Sequence, residues 1–298
     1  MAAYSELGPD RLETGGGPVE ASQQAQPAEK APAAGPVARK PGRRWLSSGR
    51  SLQLLSVACF LLIWQIAGSR LNPILISTPL LVLKAFGVLL KNGELLDGFL
   101  IALGDLALGY VLAVSVGVII GIWMGRSRTV EQVLNPYVNF MQSTPLIALV
   151  PLVVIWFGIG YSARVAVVFV LSVWSVIINT STGIKTTNKT LVEVARVFHL
   201  PEARLVREIA LPGAIPHIFA GLRVSLGKAV IGMMIAEMEI RLVGLGGLVM
   251  EYGEQFQTAY LLAGIITSSL VGVVTAILLD WIQNRFFPWI AATSGERN

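Results

Sequence analysis

Charge is what this chain has least of. Only 14% of its 298 residues are Asp, Glu, Lys or Arg, against roughly a quarter in soluble proteins, so a water-exposed globular domain of this length is excluded. Cys59 is the one cysteine, which excludes a disulfide framework within the chain. Histidine occurs twice, at His199 and His217. No HExxH, GxSxG or paired intramembrane aspartates appear, so no metal-dependent or nucleophilic catalytic set assembles. The phosphate-cradling GxxxxGK[ST] loop is also missing; the chain is read as a non-enzyme without a cofactor of its own.

What it has is apolar sequence: 54% hydrophobic residues and a mean hydropathy of +0.66, gathered in long runs. A spanning helix needs about 20 mostly apolar residues. Six stretches qualify, at 51–68, 100–124, 135–158, 162–181, 215–236 and 259–281. The pattern predicts an all-α polytopic membrane protein with about six transmembrane helices. Pro136, Pro145 and Pro151 predict that the third span is kinked or broken. Irregular backbone is tolerated in a bilayer where it packs in protein or lines a cavity, so this span is a candidate wall of a pathway.

Residues 1–45, rich in Ala, Gly, Pro, Gln and Glu, bury too little apolar surface to offset ordering entropy and are expected to be a disordered cytoplasmic tail. A transmembrane domain over 46–290 and a short tail at 291–298 complete the division. The basic run Arg39 to Arg44 precedes the first span as a flank. Ala67-Gly68-Ser69 has a faint likeness to a signal-peptidase site, but an uncleaved span is the expectation.

The net charge of +5 invites a nucleic-acid reading, yet its basic residues flank hydrophobic spans, where Lys and Arg set orientation. No nucleic-acid partner is expected, only lipid. Placing the N-terminus in the cytoplasm gathers Arg39, Lys40, Arg43, Arg44, Arg50, Arg126, Arg128, Lys185, Lys189, Arg196, Arg204, Arg207, Arg285 and Arg297 on that side. Arg70, Lys84, Lys91, Arg164 and Arg241 remain on the other. The 185–212 connection between spans four and five is therefore expected to be cytoplasmic.

That connection is the most informative stretch. Thr190-x-x-Glu193 has the form of a capping box and predicts a helix from Leu191 to Phe198. Leu191, Val194, Ala195 and Phe198 make one apolar stripe at helical spacing. Pro201 suits the first position of a second helix, carrying Leu205, Val206 and Ile209 against Arg204, Arg207 and Glu208. Pro212 and Pro216 are expected to end that helix before span five. A bilayer-surface helix would have the same amphipathicity.

Glu193, Val194 and Ala195, followed by Ile209, Leu211 and Pro212, resemble the coupling loop of ABC importer permeases of the nitrate, sulfonate and taurine type. That family's loop reads approximately E-A-A, three residues, G, nine residues, I-x-L-P. His199 stands where the family has glycine, a residue that reaches left-handed backbone angles without steric cost. Asn135-Pro136, Gln142-Ser143-Thr144-Pro145, Trp156-Phe157-Gly158, Gly221-Leu222-Arg223, Ala236-Glu237-Met238 and Gly244-Leu245-Gly246 resemble the family elsewhere.

The resemblance implies a bacterial inner-membrane unit of two permease chains, expected as a homodimer, with two cytoplasmic ATPase subunits and an extracytoplasmic substrate-binding protein. ATP would be used by the partner. It implies a small solute, expected to be an organic or inorganic anion such as nitrate, a sulfonate or taurine. The ATPase-docking residues it implies are Glu193, Val194, Ala195, Phe198, His199, Leu200, Leu211 and Pro212.

Polar groups inside a membrane mark pathways. Gln142, Ser143 and Thr144 are pathway candidates beside Pro145, as are Met233, Met234 and Glu237, although Met also fills core gaps. Glu237 and Glu239 are expected to sit hydrated at the outer interface. Asp105 is either wet there or paired with a cation such as Arg164. Gly104, Gly109, Gly117, Gly121 and Gly125 predict close helix packing. The alternative function, an ion-coupled secondary transporter, would call for inverted repeats and midplane ionisable residues; no clear repeat or central carboxylate is visible.

Overall fold

The computed structural model describes residues 49–72, 75–187, 189–240 and 243–288. The expected 1–45 and 291–298 tails lie outside them. The chain divides into Met1–Leu52 and Gln53–Asn298. Of the first unit only residues 49–52 are described, and the bundle of helices belongs to the second.

The described residues form helices and connections, with no strand. In chain order the helices are α1 (Gly49–Arg70), α2 (Pro79–Lys91), α3 (Glu94–Arg126), α4 (Arg128–Ser143), α5 (Val150–Phe157) and α6 (Tyr161–Lys185). There follow α7 (Lys189–Val197), α8 (Glu202–Leu205), α9 (Leu211–Glu239), α10 (Gly244–Glu254) and α11 (Thr258–Phe286). Five long apolar helices can cross a membrane: α1, α3, α6, α11 and the unit running from Glu202 to Glu239. A sixth span exists if α4 and the segment Leu146–Phe157, bent by 99° at their break, are counted together. The expected six runs are thus all helical, and the third is the broken one.

The break has a local cause. Pro145 has no N–H to continue the ladder, and Thr144 turns its hydroxyl back to the Phe140 carbonyl at 2.8 Å. A tight turn over Leu146–Leu149 then leads into α5.

α6 is the central helix, packed most extensively on α3 and α9. Helices α3 and α6 run parallel along a seam of small residues. A Cβ placed on Gly109, Gly117 or Gly125 would stand 2.6 Å from Val168, 2.7 Å from Val176 or 2.6 Å from Ile184. Gly121 meets Thr180 as closely. Asp105 and Arg164 continue the series with the same separation of 59 residues. A repeat of four residues on each helix therefore brings the two backbones together, where a larger side chain would hold them apart. Gly104 is not part of this: its Cβ would meet open space. α6 meets α9 in the opposite sense, with Gly183 against His217 and Gly221 against Asn179.

Two helices that composition did not predict cover one end of the bundle. Thr78 caps α2 by accepting from the Leu81 N–H, with Pro79 following it. Tyr252 of α10 donates to the Glu94 carboxylate at 2.8 Å; burial and that neighbouring carboxylate push its phenol up to about 12. At the opposite end Phe219 and Phe287 pack 5.3 Å apart, so α11 finishes beside the start of α9. Side chains on α1 and α11 such as Phe60, Ile63, Ile277 and Trp281 point outward, as lipid contact requires.

Candidate functional site: a tethered loop and a polar membrane face

The 185–212 connection folds back on the bundle through polar ties at both feet. Lys185 pairs with Glu131 at 2.7 Å, and the Arg126 guanidinium pairs with the Glu202 carboxylate. Thr187 donates its hydroxyl to the Ala210 carbonyl at 3.2 Å. Leu205, Ala195 and Ala210 are buried in one cluster with Ala214 and Ile218, and Val192, Leu200 and Ile209 lean on it.

Helix α7 begins at Lys189, so Thr190 falls in its first turn instead of the cap position expected for it. Its other end follows the sequence reading closely. His199 has φ +53°, the left-handed conformation that few residues but glycine adopt readily. The Leu200 N–H donates to the Ala195 carbonyl at 3.0 Å, the six-to-one bond of a Schellman stop, with Ala195 and Leu200 in the accompanying apolar contact.

The second helix departs from expectation. Pro201 lies just before it, as its cap, and Pro212 and Pro216 do not end it. Instead α8 passes through a wide turn at Val206–Ala210 into α9. The Leu211 N–H reaches the Val206 carbonyl, a five-residue step. Pro212 would clash with the carbonyl four residues back in a regular helix, and the wide turn relocates that carbonyl. Pro216 is absorbed inside α9.

The implied docking set therefore splits in two. Ala195 is buried, while Leu200, Leu211 and Pro212 are half-buried against their own chain; these four hold the loop and do not present a face. Glu193, Val194, Phe198 and His199 point outward, Phe198 with 77% of its surface exposed. Leu191 and Val197 join them. Val197 was missed because it lies one position off the stripe drawn through Ala195.

At the end covered by α10, the pathway assignment needs correction. Glu237 is not hydrated: it is 0% exposed, and its carboxylate accepts the Gly246 N–H at 2.7 Å. It supplies from α9 the acceptor that the first turn of α10 lacks, because the residue in the cap position is Val243. Gly244, at φ +68°, has no Cβ because Glu237 occupies that space. Met233 is likewise 0% exposed, in the core with Val168 and Ala229. Glu237 and Met233 thus pack within the chain, for apolar and capping reasons. Met234 is half-buried. Asp105 is not wet either: Arg164 donates to it at 2.6 and 3.3 Å, and Asp105 is fully buried.

Gln142 and Ser143 do face outward. Beside them is Lys228, whose Nζ lies 3.4 Å from Gln142 Oε1. Lys228 was missed because a single Lys within span five looks like an exception to its hydropathy. Arg223, on another side of α9, pairs with Asp280 at 2.8 Å and donates to Gln283 at 3.1 Å. Among the described residues no group of three or more His, Cys, Asp or Glu is placed to hold a metal.

A family model described as binding-protein-dependent transport system inner membrane component matches residues 113–290. The putative aliphatic sulfonates transport permease protein SsuC of Bacillus subtilis is 31% identical over 258 residues, covering 85% of this chain and 92% of that one. The taurine transport system permease protein TauC of Escherichia coli is 29% identical, with 83% and 92% covered. The bicarbonate transport system permease protein CmpB of Synechococcus elongatus is 28% identical, with 79% and 88% covered. Among solved structures, an inward-facing MetNI methionine ABC transporter superposes with a TM-score of 0.56 at 16% identity, covering 67% of this chain and 97% of that one. An amino acid ABC transporter gives 0.53 at 18% identity, covering 67% and 95%.

Proposed function

Because this chain belongs to the family of binding-protein-dependent transport system inner membrane components, we propose that two copies of it form the membrane pathway of an ATP-driven importer for a small anion. ATP is hydrolysed by two separate cytoplasmic subunits that dock on α7, and an external binding protein delivers the solute. Relatives named for sulfonates, taurine and bicarbonate support the anionic class.

The observation that carries this reading is the shape of the loop. Leu191, Val194, Val197 and Phe198 are exposed on a short helix whose other side is fixed to the bundle by Ala195 and Leu205. A helix on the bilayer surface needs no such rigid footing; a docking element that transmits force does. Glu193 adds a charge beside that apolar patch.

The test is co-purification with the ATPase from native membranes in mild detergent. Glu193→Arg and Phe198→Asp are expected to reduce the ATPase recovered with the permease by about tenfold or more, the scale of a hot-spot change. Membrane insertion and permease yield should stay unchanged. Wild-type recovery of ATPase and wild-type ATP-driven solute uptake in both variants would remove α7 as the docking element.

A further inference from the structure

Lys228 is a cation placed where a membrane protein can least easily keep one. It lies three residues beyond the midpoint of the 29-residue α9, about 4.5 Å along the axis. A charge near the bilayer centre is costly, so such residues face the bundle interior or a watery cavity. Long side chains near helix ends escape by reaching to the interface, but Lys228 extends sideways to Gln142 at the broken end of α4. The other cations that the structure pairs between the spanning helices have a carboxylate, Arg164 in the interior with Asp105 and Arg223 on an exposed side with Asp280. Among the described residues Lys228 has no carboxylate partner, and Gln142 accepts from it without neutralising it.

The surroundings are rich in donors. An ammonium has three N–H groups, of which Gln142 takes one. With its oxygen engaged, the Gln142 amide still has two N–H groups to offer. Ser143 adds an exposed hydroxyl on the same turn, at the point where the chain bends by 99°. Net positive charge, neighbouring donors and no carboxylate paired with Lys228 among the described residues suit a small oxyanion.

We propose that Lys228, held by Gln142, is the point on the membrane pathway where a small oxyanion of the sulfonate or carboxylate kind is recognised. This rests on the importer reading and gives the chain its own share in selecting charge.

The test uses the permease co-purified with its ATPase in proteoliposomes, carrying Cys59→Ser to remove the native thiol and Ser143→Cys as reporter. Two water-soluble methanethiosulfonates are compared, the anionic sulfonatoethyl and the cationic trimethylammonioethyl reagent, each normalised to a free thiol. The anionic reagent is expected to react about tenfold faster, the lower end of the range over which a charged cleft raises local counter-ion concentration. Lys228→Gln should abolish that preference and Lys228→Arg should keep it.

An unchanged preference in Lys228→Gln overturns the proposal. So does a reporter inert to both reagents, the result expected if Lys228 instead held a lipid phosphate away from water. The labelling preference does not depend on ATP, so its failure is distinct from failure of ATPase docking. Wild-type ethanesulfonate uptake in Lys228→Gln would also overturn it while leaving the importer standing.

Discussion

His199 shows how one residue can carry a backbone requirement. Its φ of +53° costs an ordinary L-residue about 1–2 kcal/mol. Glycine would remove that penalty but would also loosen the unfolded chain by about 0.4–1 kcal/mol. His199→Gly is therefore expected to stabilise the α7 stop by about 0.5–1 kcal/mol. Hydrogen exchange of the Leu200 amide, which donates to Ala195, should slow roughly two- to fivefold. His199→Val should speed it, because a branched side chain tolerates this conformation poorly. The Asp105–Arg164 pair makes a different prediction. Removing one partner of a buried pair leaves an uncompensated charge, at about 3–5 kcal/mol. Arg164→Leu alone should lower the midpoint of thermal unfolding in detergent sharply, and Asp105→Leu added to it should recover part of the loss. Independent, additive losses would mean that the two side chains do not act as a pair.

Among the elements, the α3–α6 seam is the tightest contact. Gly117 faces Val176 with no room for a Cβ, so Gly117→Leu should cost about 1–3 kcal/mol by overpacking and reduce the yield of folded permease. Gly104→Ala, in open space, should leave yield unchanged; equal damage from both would place the seam elsewhere. These glycines were legible in sequence as a packing stripe, but the exception among them was not, since spacing does not say which face meets α6. The spans were legible because twenty apolar residues in a row leave few alternatives. α2 and α10 were not, because they are short and their stability comes from Thr78 and from Glu237 of another helix. The same limit hid Glu237. Its sequence position says interface, and only the tertiary return of Gly244-Leu245-Gly246 takes it out of water. Pro212 and Pro216 misled for the opposite reason: a local rule predicts a break, and a wide turn accommodates it.

At the scale of the whole molecule, the stretch Glu202–Glu239 acts as one lever. It has its foot in the loop, Lys228 in the half farther from the loop, and Glu237 gripping α10 at its far end. Arg126 and Thr187 fix that foot to α3 and to the end of α6, which Lys185 in turn ties to α4. A push on the exposed face of α7 would thus be delivered to the polar membrane face without passing through a flexible linker. The lever is useful only if the loop faces the compartment that holds ATP. The distribution of Lys and Arg argues that it does, since Arg126, Arg128, Lys185, Arg204, Arg207 and Arg285 share its end. Positive residues favour the cytoplasmic side of short connections. In a Cys59→Ser background, an impermeant maleimide applied to intact cells should label Glu254→Cys, exposed at the end of α10. It should label Arg285→Cys, exposed near the end of α11, only after the membrane is opened. The reverse pattern would put the loop outside, out of reach of any cytoplasmic ATPase. The importer reading and the role given to α7 would then fall together, whereas the anion preference at Lys228 would remain to be judged by its own labelling ratio.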